Sequence, residues 1–146
     1  MTELRIQKMN IGDRFITDPQ VITKSDVESF CSLAGMKHPL FLSDRYVQTD
    51  EERGKVVKLE SALIPGQLSF AIFMGNLLTS HILDDVIVQL GTNNLKWPAP
   101  AYHYDSLRTE IEIIDKRTTK AGSIIVDFNW WVKNQNDSVV CEGHNT

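Results

Sequence analysis

The stretch Ile64–Leu83, IPGQLSFAIFMGNLLTSHIL, decides the fold of this chain. It contains no Lys, Arg, Asp or Glu, and its apolar side chains recur on nearly every side of a 3.6-residue period. A helix formed by these residues is therefore expected to be buried nearly all round. Pro65 suits the first turn of that helix, because the N–H that proline lacks would have no partner there.

Length alone would also allow this stretch to cross a membrane. Two features argue against insertion: polar residues interrupt the second half of the stretch, and no basic cluster flanks it. The interrupting residues are Asn76, Thr79, Ser80 and His81. We therefore expect the helix to lie inside the protein, and the simplest surrounding for it is a sheet that wraps around it.

Length, charge and cysteine content limit the domain number, the partners and the metal sites that are expected of this chain. A chain of 146 residues is expected to form a single domain over residues 1–146. Its formal net charge of -4 argues against a nucleic-acid or anionic-membrane partner. Cys31 and Cys141 show no metal-ligand spacing, so we expect no metal site and interpret both as reduced core residues of a cytoplasmic protein. The first ten residues lack a long apolar stretch, and no signal peptide is expected.

A shorter helix is predicted over residues 25 to 34. Ser25 and Glu28 have the spacing of a capping box, in which each side chain bonds the other residue's backbone N–H. Gly35 is suited to end this helix in the left-handed conformation. Residues 36 to 48 are predicted to form a loop with one helical turn near Ser43–Tyr46, and residues 49 to 58 an exposed linker.

The rest of the chain favours extended structure. A short extended segment, Arg14–Thr23, is broken at Pro19. In the last third, β-branched runs and alternating patterns predict strands at Val86–Leu90, Asn93–Trp97, Leu107–Ile114, Ser123–Lys133 and Ser138–Glu142. The order of elements therefore predicts an α+β fold, in which one antiparallel sheet curls around one buried helix.

Three motifs stand out: Gly35-Met36-Lys37-His38-Pro39-Leu40-Phe41, Pro65-Gly66-Gln67-Leu68 and the segment from Pro100 to Asp105. Together they resemble the MaoC-type (R)-specific enoyl-CoA hydratase family, whose fold is the hotdog fold. The resemblance covers most of the chain. It implies an acyl-CoA or acyl-carrier thioester as ligand, no other cofactor, and a homodimer or a heterodimer with a catalytic paralogue. An exposed sheet edge gives a physical reason for such pairing.

The resemblance also implies that the family's chemistry is missing. Its catalytic Asp falls on Met36, its catalytic His on Phe41 and the accompanying Asn on His38. Hydration of an enoyl thioester needs a base that takes a proton from water and an acid that protonates carbon, and neither Met nor Phe can do this. What remains is the helix start at Gly66-Gln67, where in such folds backbone N–H groups bind a thioester carbonyl that a side chain at residue 66 would obstruct.

Three nearby side chains each have two interpretations. His38 either supplies an acid or base in place of the lost pair or is an ordinary loop residue. Gln67 either orients water or a carbonyl or caps the helix. Trp97 either lines an acyl pocket, together with Phe41 and the first turns of the central helix, or belongs to the core.

Three further residues complete the candidates. Glu60 precedes the central helix and is either the carboxylate of a thioesterase or a solvated loop residue among other charges. His81 lies near the helix C-terminus, where a cation is favoured by the dipole and a structural role is expected. His103 either lines the rim of a binding tunnel or simply ends a strand.

Three classes of function stay open at this point. The first is an acyl-thioester binding protein that has lost hydration, such as the non-catalytic subunit of a dehydratase. The second is an active enzyme that uses other residues, either a divergent enoyl-CoA hydratase or dehydratase or an acyl-CoA thioesterase. The third is a binding module for a different small apolar ligand.

Overall fold

A computed structural model describes residues 3–49 and 59–146. After a short 3-10 turn at Ile6–Lys8, the helices are α1 Lys24–Ala34, α2 Pro39–Leu42, α3 Asp44–Thr49 and α4 Gly66–Thr79. The strands are β1 Arg14–Ile16, β2 Gln20–Val21, β3 Thr92–Lys96, β4 Ser106–Thr118, β5 Ile124–Lys133 and β6 Val139–Asn145. The linker predicted over residues 49 to 58 lies, apart from Thr49, outside the described residues.

The strands form one antiparallel sheet in the order β1-β4-β5-β6-β3, and β2 adds to β4 beside β1. The β4–β5 ladder is the longest, and its register shifts between Ile113 and Asp115. Strand β3 forms one edge, where its pairing with β6 shifts between Asn93 and Lys96. The predicted α+β architecture with an antiparallel meander is therefore confirmed.

Helix α4 packs against the inner face of β4, β5 and β6. The alternation predicted for β4 and β5 is seen in the burial of their inward side chains, with Trp130 fully buried. Phe73 of the helix stacks on the Trp130 ring with 3.8 Å between ring centroids. Burying each such side chain contributes about 1.5–3 kcal/mol, so this layer is a main source of stability. Its sheet residues include Leu107, Ile111, Ile113, Phe128 and Val132.

A buried polar network fixes the helix on the sheet. The Asn76 Nδ2 group donates to the Leu107 carbonyl at 3.2 Å and to Thr109 Oγ1 at 3.3 Å. The Thr109 hydroxyl donates in turn to the Phe73 carbonyl at 3.2 Å, and its backbone N–H donates to Thr17 Oγ1 at 3.0 Å. Each of these contacts is satisfied only at one register of helix on sheet, so the network selects that register.

The central helix differs from its prediction in two ways. It is not buried all round, because Gln67, Ala71 and Leu78 form an exposed stripe along one side. It also ends at Thr79 and not at Leu83, since His81 adopts the left-handed conformation with φ 67° and breaks the helix. Apolar content predicted the burial of most of the helix, but it could not show which side lies open.

Three local predictions were also wrong. Helix α1 starts at Lys24 and is capped by Thr23 and Asp26, whose side chains bond each other's backbone N–H groups, and not by Ser25 and Glu28. Residues 86 to 90 lie within the part of the chain that the structure describes, and they form no strand there. Residues 36 to 48 hold two short helices where one turn was expected. The left-handed Gly35 that ends α1, with φ 71°, is confirmed.

Cys31 and Cys141 are free thiols and both are buried, as predicted. Burial raises the pKa of each thiol, that of Cys141 to about 11. At neutral pH such groups are protonated and behave as small apolar side chains. No helix within the described residues is long and apolar enough to span a membrane.

Candidate functional site

The N-terminus of α4 presents unpaired backbone donors. Pro65 occupies the N-cap position, and no side chain caps the helix. The Pro65 carbonyl accepts the N–H groups of Leu68 and Ser69 at 2.9 and 3.1 Å. For the N–H groups of Gly66 and Gln67, no acceptor is found among the residues that the structure describes. These donors and the positive end of the helix dipole together favour an oxygen with partial negative charge.

Trp97 lies directly over this helix start. It follows the last residue of β3, and its Nε1–H donates to the Gly66 carbonyl at 2.8 Å. A Cβ placed on Gly66 would meet the indole Nε1 at 2.7 Å. Glycine is therefore required at position 66 by the packing of Trp97, a reason that the sequence could not supply. Trp97 is 43% exposed, so part of the residue is open to solvent or to a ligand.

The loop after α1 is built around His38. This residue is the N-cap of α2, and its Nδ1 accepts the backbone N–H of Leu40 at 3.1 Å. The ring packs edge-on against Phe41 and Tyr46, with centroid separations of 6.3 and 5.7 Å. His38 thus has a local structural role, while its Nε2 is not used in the cap.

Met36 and Phe41 lie in the same loop and are half-buried against the core. Neither side chain can transfer a proton. The Phe41 carbonyl accepts a hydrogen bond from His103 Nε2 at 2.7 Å, which places a proton on that nitrogen. The loop is therefore tied to the turn before β4 by a histidine whose partner could not be found from the sequence, because the two residues are far apart along the chain.

Residues 62 to 64 join this loop to the helix start. The Leu63 N–H donates to the Leu40 carbonyl at 2.9 Å, and the Ile64 N–H donates to the Ala101 carbonyl at 2.7 Å. The Ala62 N–H donates to Asp44 Oδ1 at 2.8 Å. Two groups of predicted site residues thus share one support: Met36, His38 and Phe41 in the loop, and Gly66, Gln67 and Trp97 at the helix start.

Comparison with known proteins identifies the fold that carries this site. No protein-family model matches the chain. Over 141 residues the chain is 25% identical to the uncharacterized protein YdeM of Bacillus subtilis (strain 168). The alignment covers 96% of this chain and 94% of YdeM. The structure superimposes on the MaoC-like dehydratase from Rhodospirillum rubrum with a TM-score of 0.75, 24% identity and coverage of 97% and 93% of the two chains.

Two further structures agree with this result. The (R)-hydratase from A. caviae matches with a TM-score of 0.75, 19% identity and coverage of 95% of this chain and 96% of the hydratase. A MaoC domain protein from Chloroflexus aurantiacus J-10-fl matches with a TM-score of 0.82 and 28% identity, over 97% of this chain and 38% of that protein. The chain has the hotdog fold. The fold implied by the sequence resemblance is confirmed.

Hotdog proteins of this kind also occur in complexes. The HadBC (3R-hydroxyacyl-ACP dehydratase) complex from Mycobacterium tuberculosis contains a chain that matches with a TM-score of 0.65, 18% identity and coverage of 94% of this chain and 96% of the other. At this level of identity the likeness concerns the fold and assigns no role to individual residues.

The two remaining candidates from the sequence are Glu60 and His81. Glu60 is exposed, and its backbone contacts the Tyr102 hydroxyl and Gln48. His81 lies beyond the far end of α4, where its Nδ1 is 2.9 Å from Asp84 Oδ2. This contact agrees with the structural role expected for His81.

Asp105 is a structural residue that the sequence did not single out for a role. Its buried carboxyl group accepts the Tyr102 N–H at 2.9 Å and Gln135 Nε2 at 3.0 Å. These bonds hold the turn that carries His103. The sequence shows an Asp shortly before a strand, but neither its burial nor its hydrogen-bond partners.

Two cavities lie along the second half of α4. One, of about 540 Å³, is lined by residues 15 to 20 and by Asn76, Thr79 and Ser80. The other, of about 810 Å³, lies beside residues 85 to 90. Neither is lined by Phe41 or Trp97, so the acyl pocket proposed at those residues stays a prediction. Within residues 3–49 and 59–146, no group of three His, Cys, Asp or Glu could hold a metal ion.

Proposed function

We propose that this hotdog protein binds acyl thioesters of CoA or of an acyl carrier at the N-terminus of α4. The observation that supports this most is the pair of unpaired N–H groups at Gly66 and Gln67 beside the fixed indole of Trp97. A thioester carbonyl accepts such bonds, and the exposed indole face offers apolar contact to the adjoining carbon atoms.

We further propose that the chain lacks the ordinary hydration mechanism. The loop positions that would hold an acid and a base carry Met36 and Phe41, which pack against the core and offer no proton. Losing one general acid or base typically costs about 10²–10⁴ in rate, and here both are replaced. The chain would then serve as a binding protein or as the non-catalytic subunit of a dehydratase.

A second candidate function is a divergent enzyme, either a dehydratase or a thioesterase. It is favoured by His103, whose ring bonds the Phe41 backbone and brings a titratable group next to the loop. His38 Nε2 is a further possible proton carrier, since only Nδ1 is used in capping. Glu60 would be the carboxylate in a thioesterase.

We also propose that the protein works as a dimer, with itself or with a catalytic paralogue. Strand β3 pairs with β6 on one side only among the described residues, which leaves an edge that another chain can extend. Exposed apolar side chains nearby in the chain, above all Ile87 at 99% exposure, would gain from being covered.

The test is thermal stability and titration calorimetry against a series of straight-chain acyl-CoAs, with release of free thiol followed in parallel. Binding at the proposed site predicts affinity that rises with chain length, by about 0.8 kcal/mol per methylene, until the pocket is full. Gly66→Ala is expected to abolish binding, because its methyl group displaces Trp97. Gly75→Ala is the matched control, since it lies on the same helix and its Cβ meets open space.

The outcomes separate the candidates. Saturable binding without thiol release or hydration, lost in Gly66→Ala and kept in Gly75→Ala, supports the binding function. Thiol release stopped by Glu60→Gln would establish a thioesterase, and hydration of crotonyl-CoA reduced by changes at His38 or His103 a divergent hydratase. Equal binding by both glycine variants would contradict the site.

A further inference from the structure

The smaller cavity, of about 540 Å³, lies between the connection from β1 to β2 and the C-terminal end of α4. Phe15, Ile16 and Pro19 give it an apolar part, and its remaining lining residues are polar. Its volume falls in the range of small-molecule pockets. Asn76 lies roughly 15 Å along the helix axis from Gly66, so this cavity is separate from the helix start within one chain.

One buried side chain offers an unpaired acceptor to this cavity. Asn76 is 6% exposed, and both hydrogens of its Nδ2 group are engaged, by the Leu107 carbonyl and by Thr109 Oγ1. Because a carbonyl can only accept, Nδ2 is the atom that faces Leu107, and Oδ1 is left without a donor among the described residues. Unlike Asp85 Oδ1 and Asn145 Nδ2, which are unpaired and sealed, Asn76 Oδ1 keeps some accessible surface, and it opens onto the cavity that Asn76 lines.

The hydroxyl groups of two further lining residues have already given their protons to the protein. Thr17 Oγ1 donates to the Asp18 carbonyl at 3.0 Å, and Ser80 Oγ donates to the Leu77 carbonyl at 2.7 Å. A hydroxyl carries one proton, so these two oxygens can only accept from a ligand. The side-chain donors that remain in the lining are exposed and belong to Gln20 and Thr79.

Asp18 gives the cavity a negative charge. It is exposed, and it is the one Asp, Glu, Lys or Arg among the described lining residues. The C-terminal end of α4 adds the negative end of the helix dipole, which favours a cation. A positively charged donor is therefore stabilised in this cavity, whereas a carboxylate would meet both an acidic group and unpaired acceptors.

Basic groups that are near the lining residues in the chain are bound elsewhere. Arg14 pairs with Glu112 at 2.9 Å and lies over a tryptophan ring on the outer face of the sheet, opposite to the face that carries α4. Arg108 donates from Nη1 to a carbonyl in the turn between β5 and β6 at 3.0 Å. His81 follows the last lining residue, and its Nδ1 is 2.9 Å from Asp84 Oδ2. The Asp18 carboxylate thus forms no ion pair with any of these three groups.

We infer that this cavity binds a small primary amine in its ammonium form, joined to an apolar group such as an aromatic ring. The ammonium group donates to Asn76 Oδ1, and the Asp18 carboxylate offsets its charge from the exposed end of the cavity. The apolar group packs against Phe15, Ile16 and Pro19. This inference goes beyond the proposed thioester function, because it needs neither a thioester nor the helix start.

The experiment is an NMR titration of the full chain, labelled with 15N, with 2-phenylethylamine, 2-phenylethanol and 3-phenylpropanoate at pH 7. The three probes share a ring and differ in carrying an ammonium, a neutral hydroxyl or a carboxylate. We expect the amine to shift the side-chain amide resonances of Asn76 saturably. It should bind at least about fivefold more tightly than the alcohol, since a charged donor forms the stronger hydrogen bond, and the carboxylate should bind most weakly.

A pair of charge variants tests the role of Asp18. Asp18→Asn should weaken binding of the amine by about threefold and leave binding of the alcohol unchanged, because an exposed ion pair contributes little. Glu28→Gln is the matched control. It removes the same charge from an exposed position on α1 outside the lining, and it should leave the affinity for both probes unchanged.

A steric pair of variants tests the cavity itself. Thr79→Trp places a large ring at an exposed lining position and should abolish binding, whereas Leu78→Trp, at the neighbouring exposed position outside this lining, should leave it unchanged. Equal affinity for amine and alcohol, equal effects of the two charge variants, binding that survives Thr79→Trp, or no saturable shift at Asn76 would each overturn the inference. Acyl-CoA binding measured on Thr79→Trp keeps these outcomes distinct from failure of the site at Gly66.

Discussion

At the scale of the residue, Glu110 shows how charge is managed on the outer face of the sheet. Its carboxyl group is largely buried, and Lys133 Nζ lies 2.7 Å from its Oε2, while Arg108 Nε lies 3.4 Å from its Oε1. Burial alone would raise the pKa of Glu110, but the Lys133 ammonium and the Arg108 guanidinium outweigh it and lower the pKa below the usual 4.5. The ionised form is thus the one that the folded state favours.

Glu110→Gln is therefore expected to lower the free energy of unfolding at pH 7 by about 1–3 kcal/mol. Because the folded pKa is depressed, the contribution of Glu110 is fully present above the unfolded value and is lost as pH falls through the folded pKa. Urea unfolding at several pH values measures this. A difference between wild type and variant that stays constant from pH 7 to pH 3 would contradict it.

The same scale shows where sequence reasoning about the site stopped. Met36, His38 and Phe41 were grouped by position in one motif, and the structure places them in one loop around α2. The bond from His103 to the Phe41 carbonyl depends instead on a fold that brings residues 41 and 103 together. No local spacing encodes such a contact, so it could only be found in the structure.

At the scale of the element, two glycines leave space into which a tryptophan ring packs. Gly66 lies under Trp97 at the start of α4, and Gly143 of β6 lies under Trp130, where an added Cβ would meet the ring at 2.7 Å. Neither requirement comes from backbone conformation. Both come from a large ring that occupies the volume of a missing side chain.

Gly143→Ala is expected to destabilise the protein by about 1–3 kcal/mol, because Trp130 is enclosed by the core and cannot move aside freely. Gly75→Ala in α4 is the control. Its Cβ meets open space, and the helix propensity of alanine should stabilise the protein by up to about 1 kcal/mol. Thermal and urea unfolding of both variants measure the contrast; a Gly143→Ala variant as stable as wild type would show that Trp130 has room.

Strands with a clear alternation of buried and exposed positions could be predicted from the sequence. A short apolar run could not, because whether it forms a strand depends on a partner strand that the sequence does not show. Strands β4 and β5 alternate clearly and were found in the expected places. Residues 86 to 90 have the composition of a strand, but Ile87 and Val88 are exposed, and the Leu90 N–H donates to Thr146 instead of a regular ladder. The cap of α1 was predicted wrongly for a different reason: Thr23–Asp26 and Ser25–Glu28 have the same spacing, so the sequence offers two capping boxes.

At the scale of the whole molecule, the open edge at β3 is the feature with the widest consequences. Asn93 and Asn94 on this edge are exposed, and Asn94 has a left-handed backbone with φ 55°. The register shift between Asn93 and Lys96 bends the strand but leaves its backbone able to pair. The proposed dimer would use this edge to lengthen the sheet across two chains.

Asn93→Glu should weaken that assembly, because two-fold pairing would bring two copies of the new carboxylate together. Sedimentation velocity of wild type is expected to show a dimer, and of the variant a shift toward monomer. Asn136→Glu, in the exposed turn between β5 and β6, is the matched control and should leave the dimer intact. A wild-type monomer, or a dimer that both variants retain equally, would contradict the role of the edge.

The position of Trp97 has a practical consequence for observing this molecule. The chain has three tryptophans: Trp130 is sealed in the core, Trp131 lies on the outer face with Arg14 over its ring, and Trp97 is half-exposed at the start of α4. Fluorescence of the indole at position 97 should therefore respond to whatever approaches the helix start, while emission from Trp130 stays constant. Occupancy there can be followed by light, without any label and without a change in the sequence.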